Sequence, residues 1–242
     1  MLNSERFINS FKEIECYLQS ILSRIDNTYV IGKFIDYIEE TSKSNSVVRT
    51  FKNDLQKFRQ LRNIIIHHDK VIAEPNNETV LKIEQILKFL KLPPQIETFL
   101  KNKKAPFCLD MSDSIERAVK IMHSEDYSQI PIYDKNSFKG LLTTNTITQW
   151  LGAPSNDDLI SLRETKIYDI IKFEENERKI KPYTFMSRKE NLFDLIDKFK
   201  KSYEKGVKLD AILITENGKN SEKLLGILTI WDLPIINEKL KI

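Results

Sequence analysis

Along the first 92 residues, apolar side chains return every three or four positions. Phe7, Phe11, Ile14, Leu18, Ile21, Leu22 and Ile25 form one stripe, the spacing that collects side chains on one face of an α-helix. Val30, Ile31, Phe34, Ile35 and Ile38 form a second, shorter stripe, and Val48, Phe51, Leu55, Phe58, Leu61 and Ile65 a third. After the break at "AEPNNE", Val80, Ile83, Leu87 and Leu90 form a fourth, which ends before Pro93 and Pro94. This stretch holds one glycine, Gly32, and one proline before Pro93, Pro75. Four amphipathic helices with short connections predict an antiparallel all-α bundle over residues 1–92.

From Pro106 the pattern changes to short β runs alternating with helices, and it does so twice. "SDSIERAVKIM" predicts a helix, "QIPIYD" a strand, and "GLLTTNTITQWL" a strand running into a second helix. "SRKENLFDLIDKFKKS", "DAILITENG" and "LLGILTIWDLPII" repeat that order. Asp113 and Glu116, and again Ser187 and Glu190, stand at capping-box spacing. Gly140-Leu-Leu-Thr143 aligns with Gly226-Ile-Leu-Thr229. The expected fold class is α+β multidomain, an all-α bundle followed by two α/β repeats. Residues 93–105 read as a hinge with one helical turn at Gln95–Lys101. Residues 106–153 read as the first repeat, 154–181 as a linker ending in the solvated charge run "KFEENERKIK", and 182–242 as the second repeat.

A chain of 242 residues is long enough for two domains, each with its own core. Its net charge is +3, unevenly spread: residues 1–104 carry 17 Lys and Arg against 13 Asp and Glu. That basic bias is too small to imply nucleic acid by itself. Cys16 and Cys108 stand alone, so no disulfide framework or zinc knuckle can be built, which fits a reducing compartment. "MLNSERFINSF" lacks the basic and apolar regions of a signal peptide, and no apolar run reaches the length of a membrane span. A cytoplasmic protein, away from membranes, is expected. Phosphate-loop, zinc-protease, nucleophile-elbow and dinucleotide motifs are missing from the sequence, and no metal site is expected.

The repeated order of a helix, "IPIYD", a turn, and Gly-apolar-apolar-Thr opening another helix resembles the CBS domain, and two in tandem resemble a Bateman module. The resemblance covers residues 106–242. In "GILTIWDL", Asp232 stands three residues after Thr229, on the first turn of a helix, where free backbone N–H groups favour phosphate. A carboxylate there can accept both hydroxyls of a ribose, and the Thr229 hydroxyl can reach sugar or phosphate. The resemblance implies an adenosine-containing effector (AMP, ADP, ATP or a relative), with the backbone of Ala211 and Ile212 flanking adenine and no required cofactor. The alternative for Asp232 is a plain carboxylate at a helix start, worth up to about 1 kcal/mol. The first repeat keeps Thr143 but places Thr146 where the carboxylate belongs. A hydroxyl cannot grip a diol at two points, so this second ligand site reads as degenerate, either empty or altered in preference.

"LRNIIIHHDK" (residues 61–70) carries two of the three histidines beside Ile64, Ile65 and Ile66, β-branched residues expected in a core. Arg62 and Asn63, with His67 near the end of a bundle helix, resemble the Arg-polar-x3-His motif of the HEPN family of small all-α domains. The resemblance implies a metal-independent endoribonuclease acting on RNA: His67 moving the proton, Arg62 stabilising charge on phosphate oxygens, and Asn63 orienting phosphate or ribose. Asn63 and His67, four apart, share a helix face, but Arg62 and His67, five apart, are about 140° apart around an ideal helix. Either the helix ends near His67 or a second copy completes the site. Both resemblances imply a homodimer. The alternative is a non-catalytic nucleotide-binding adaptor whose bundle mediates dimerisation or docks a partner. His68 reads as a spare residue and His123 as surface.

Overall fold

The computed structural model describes residues 2–25, 32–67, 70, 71, 73–153, 160–174 and 181–241. Val30, Ile31 and His68 lie outside these, as do the side chains of Ile25 and His67. The molecule is α+β multidomain. Met1–Pro94 with Asn191–Asp194 forms one compact unit, and Gln95–Glu190 with Leu195–Ile242 the other.

The first unit is built from helices α1 (Asn3–Ile25), α2 (Phe34–Ser44), α3 (Ser46–Thr50) and α4 (Lys52–Ile65), the two-residue strands β1 (Ile66–His67) and β2 (Lys70–Val71), and helix α5 (Asn77–Lys91). Phe7, Phe11, Ile14, Leu18 and Leu22 of α1 are buried as their spacing requires. The Phe7 ring meets Phe58 of α4 edge to face at 5.7 Å between centroids, and Phe11 meets Phe34 of α2 at 4.6 Å. Arg6 grips Glu84 of α5 with Nε and Nη2 at 2.9 and 2.8 Å. Asn76 caps α5 by accepting the Thr79 N–H at 2.9 Å.

The third stripe forms two helices rather than one. The Asn45 side chain accepts the Val48 N–H at 3.0 Å and starts α3. Phe51 (φ −99°, ψ 16°) then leaves helical geometry while staying buried, and α4 begins after it. The three isoleucines do not share the core: Ile65 is fully buried but Ile64 is 58% exposed. Successive helix positions differ by about 100°, so one core-facing isoleucine turns the residue before it to solvent. Ile66 is extended, and in an antiparallel pairing Ile66 faces Val71 and His67 faces Lys70.

The second unit begins with α6 (Ile96–Leu100), followed by β3 (Leu109–Asp110), α7 (Ile115–Ser124), β4 (Gln129–Asp134), β5 (Ser137–Thr143), α8 (Thr144–Gly152) and α9 (Ile167–Ile170), which runs into a 3-10 turn, Ile171–Glu174. The second repeat is β6 (Tyr183–Ser187), α10 (Leu192–Glu204), β7 (Ala211–Thr215), β8 (Gly226–Leu228), a 3-10 turn at Ile230–Asp232, and α11 (Leu233–Leu240). Each repeat makes a three-stranded sheet in which its first strand is parallel to its second and the second antiparallel to its third. The topology is therefore repeated as well as the sequence pattern.

Both repeats place their helix caps later than the capping-box spacing suggests. Ser114 caps α7 by accepting the Arg117 N–H at 3.3 Å, while Asp113 accepts the Asp110 N–H at 2.9 Å. Asn191 accepts the Asp194 N–H at 2.9 Å, while before the helix the Ser187 N–H donates to Glu190 at 2.7 Å. In each case the carboxylate closes a turn before the helix, and the residue adjoining the helix caps it.

Strand pleating divides the cores. Ile130, Ile132 and Leu142 join Ile115, Ala118 and Met122 under the helices of the first repeat. Ile167 and Ile170, in the stretch expected to connect the repeats, are buried in that same core. Leu141, next to Leu142 and therefore on the opposite face, packs with Ala211, Leu213 and Leu224 of the second repeat. Phe138 meets Tyr183 and Phe185 edge to face at 5.3 and 5.2 Å. β7 is covered on both faces, which is why all five of its residues are buried.

Candidate functional site

In the second repeat the sequence Thr229-Ile-Trp-Asp232 closes a tight turn. The Thr229 N–H donates to Asp232 Oδ2 at 2.8 Å, Thr229 Oγ1 accepts the Trp231 N–H at 3.3 Å, and the Asp232 N–H donates to the Thr229 carbonyl at 3.0 Å. Asp232 is 7% exposed, and its other carboxylate oxygen, Oδ1, pairs with the ammonium of Lys103. A charge this buried is retained only with such partners.

Lys103 is brought there by packing. Backbone N–H groups of Ile96 and Glu97 donate to the carbonyls of Glu190 and Arg188 at 2.9 and 3.0 Å, fastening α6 to the second repeat. Leu100 then seats on Gly226: a Cβ built on that glycine would lie 2.5 Å from Leu100 Cδ2. The following residues run along a cleft of about 840 Å³, whose lining includes Lys103, Lys104, Tyr127, Gly226, Trp231 and Asp232. The Lys103 ammonium lies 5.7 Å from the centre of the Phe99 ring, within cation–π range. Trp231 is 80% exposed and Tyr127 37%, so flat aromatic faces, a carboxylate and two ammonium groups border one opening. Ser128, Gln129 and Thr144 from the first repeat complete part of its wall.

The first repeat builds the same turn without the carboxylate. The Thr146 N–H donates to Thr143 Oγ1 at 3.0 Å, the two hydroxyls are 2.9 Å apart, and both residues are buried. The hydroxyl of Thr146 is thus spent on its own turn, and only the neighbouring Thr144 reaches the cleft.

Of the residues singled out in the sequence, Thr229 and Asp232 come together in the cleft. Ala211 and Ile212 are fully buried in β7 and do not line it. In the helical unit, Arg62 and Asn63 are exposed on the last turn of α4, with Arg62 Nη1 3.4 Å from Asn63 Oδ1. The helix ends at Ile65, so His67 sits on β1 rather than at a helical phase. His123 is exposed on α7. Burial pushes the Cys108 thiol above its ordinary 9.0, keeping it protonated and a poor nucleophile. Among the described residues no group of three or more His, Cys, Asp or Glu is placed to hold a metal ion, and no helix is long and apolar enough to cross a membrane.

Lys103 and Trp231 carry no signal of their role in the sequence. "KNKKAP" reads as hinge punctuation, because nothing in it signals that α6 docks on β8. Trp231 lies inside the Thr229-x-x-Asp232 spacing, but its exposure follows only from the 3-10 turn.

The family model of the CBS domain matches residues 102–153, which span the first repeat, and the second repeat has the same order of strands and helices. Curated proteins give no match to the sequence. Among solved structures, the chain is similar to the CBS domain pair of protein MJ0100, determined with 5′-methylthioadenosine and S-adenosyl-L-methionine. That likeness has 17% identity and a TM-score of 0.43, covering 61% of this chain and 98% of the other. It is likewise similar to a CBS-domain-containing protein from Agrobacterium tumefaciens, at 14% identity and a TM-score of 0.43, covering 61% and 93%.

Proposed function

We propose that the two repeats form a CBS pair that binds one adenosine-containing ligand in the Asp232 cleft and regulates the helical unit according to its occupancy. The observation that carries this reading is the set of groups on one opening. A buried carboxylate suits a ribose diol, the exposed indole of Trp231 and phenol ring of Tyr127 suit a purine face, and Lys103 and Lys104 suit phosphate. Thr229 positions Asp232 and offers its hydroxyl to the sugar. Gly226, Ile227 and Gln129 border the opening where the base would lie, in place of Ala211 and Ile212. The Thr143–Thr146 turn has no charge to offer, so one ligand per chain is expected.

Thermal melting with AMP, ADP or ATP tests this. A ligand at 100 times its Kd stabilises the native state by about 2.7 kcal/mol, which should raise the melting temperature of the wild type. Asp232→Asn keeps an oxygen for the Thr229 N–H while removing the charge, and should lose the shift. An equal shift in both proteins contradicts the assignment.

A second reading, metal-independent RNA cleavage by the helical unit, is favoured by one observation. Because α4 stops at Ile65, His67 leaves the helical phase that separates it from Arg62. In this reading His67 transfers the proton, with Arg62 and Asn63 on the phosphate. RNA incubated with purified protein in chelator should yield 2′,3′-cyclic phosphate ends, lost in His67→Ala and Arg62→Ala. Intact RNA in all three leaves the helical unit as a partner-docking or dimerising adaptor.

A further inference from the structure

We infer that Lys103 determines ligand specificity, making the cleft prefer phosphorylated adenosine compounds to unphosphorylated ones through an exchange of counter-ions at Asp232. The inference rests on the nucleotide reading of the cleft and adds to it the chemical class selected. Asp232 Oδ2 accepts the Thr229 N–H at 2.8 Å, and Oδ1 is paired with Lys103. A ribose diol that donates two hydroxyls to this carboxylate must use the side that the ammonium covers. The Lys103 side chain is 33% exposed and that of Asp232 10%, so the pair is largely withdrawn from water.

An uncharged nucleoside that takes the carboxylate pushes the ammonium away and gives it nothing in return. Leaving a partly buried charge without its partner is unfavourable. A nucleotide supplies the replacement in the same molecule, because its phosphate can accept a charge-assisted hydrogen bond from the displaced Lys103. Lys104 reinforces this from the next position: with Asp232 committed to the sugar, the remaining charged residues on the lining are Lys103 and Lys104 against Asp126. A ligand carrying positive charge beyond the ribose would meet the same two lysines and be disfavoured. The docking of Leu100 on Gly226 holds the backbone that carries Lys103, so the ammonium is displaced by swinging its side chain rather than by moving the segment that follows α6.

Calorimetric titration with AMP and adenosine tests this on the wild type, Lys103→Met, which keeps the stem, and Lys103→Arg, which keeps the charge. The wild type should bind AMP at least about tenfold more tightly than adenosine, the value of one charge-assisted contact. Lys103→Met should bring the two within about threefold and bind adenosine no more weakly than the wild type does. Lys103→Arg should retain most of the preference, and the AMP advantage of the wild type should shrink as salt rises. An unchanged ratio in Lys103→Met, or equal affinity for both compounds in the wild type, overturns the role of Lys103 while leaving the nucleotide site in place. Failure of the wild type to bind either compound is a different result, and it overturns the nucleotide reading itself.

Discussion

At the scale of single residues, neighbours of the same type have opposite fates. Ile64 and Ile65 are adjacent and chemically identical, yet the first is 58% exposed and the second fully buried. Truncating Ile65 removes core contacts and leaves a cavity, so Ile65→Ala should cost about 2–5 kcal/mol in urea unfolding. Ile64→Ala should stay within about 0.5 kcal/mol. Similar losses at both positions would contradict the phase of α4. Asp232 and Thr146 show the converse, different residues in one structural role. Both sit three residues after a threonine whose N–H they accept, at 2.8 and 3.4 Å. Only the carboxylate has acceptor capacity left for a ligand.

At the scale of elements, the docking of α6 on β8 is what turns a hinge sequence into a cleft wall. Gly226→Ala drives a methyl into Leu100 Cδ2, and overpacking of this kind costs about 1–3 kcal/mol. Shortening the obstructing side chain with Leu100→Ala should make the glycine substitution nearly neutral in that background, a coupling that chemical denaturation of the four proteins would measure. Additive losses would mean that the two residues do not meet. The helical stripes and the doubled strand pattern were legible beforehand because burial imposes periods of 3.6 and 2 on the sequence. Asp232 was picked out through the resemblance to the CBS domain, by its spacing from Thr229. The break at Phe51 was not legible, since it falls inside an apolar stripe that a continuous helix satisfies equally well, and the β1–β2 pairing was not, since "IHHDKV" is too short and too polar to carry a strand pattern. Lys103 was hidden for another reason: it meets Asp232 across 129 residues of chain, and no local pattern records such a contact. The same applies to Ile167 and Ile170, whose short stretch carries no stripe of its own.

At the scale of the whole molecule, the proposed function is that of a sensor with one working ligand site per chain. A homodimer, which both resemblances imply, is proposed. Light scattering at micromolar concentration should give twice the chain mass of 28.4 kDa, and a single-chain mass would remove that proposal. Whether the Asp232 cleft is an adenosine site can be seen in a crystal structure grown with AMP. It should hold one AMP per chain, its ribose hydroxyls within hydrogen-bonding distance of the Asp232 carboxylate, its base against Trp231 or Tyr127, and its phosphate on Lys103, with none at the Thr143–Thr146 turn. AMP bound elsewhere, or absent from a cleft where Lys103 still holds Asp232, would contradict that assignment.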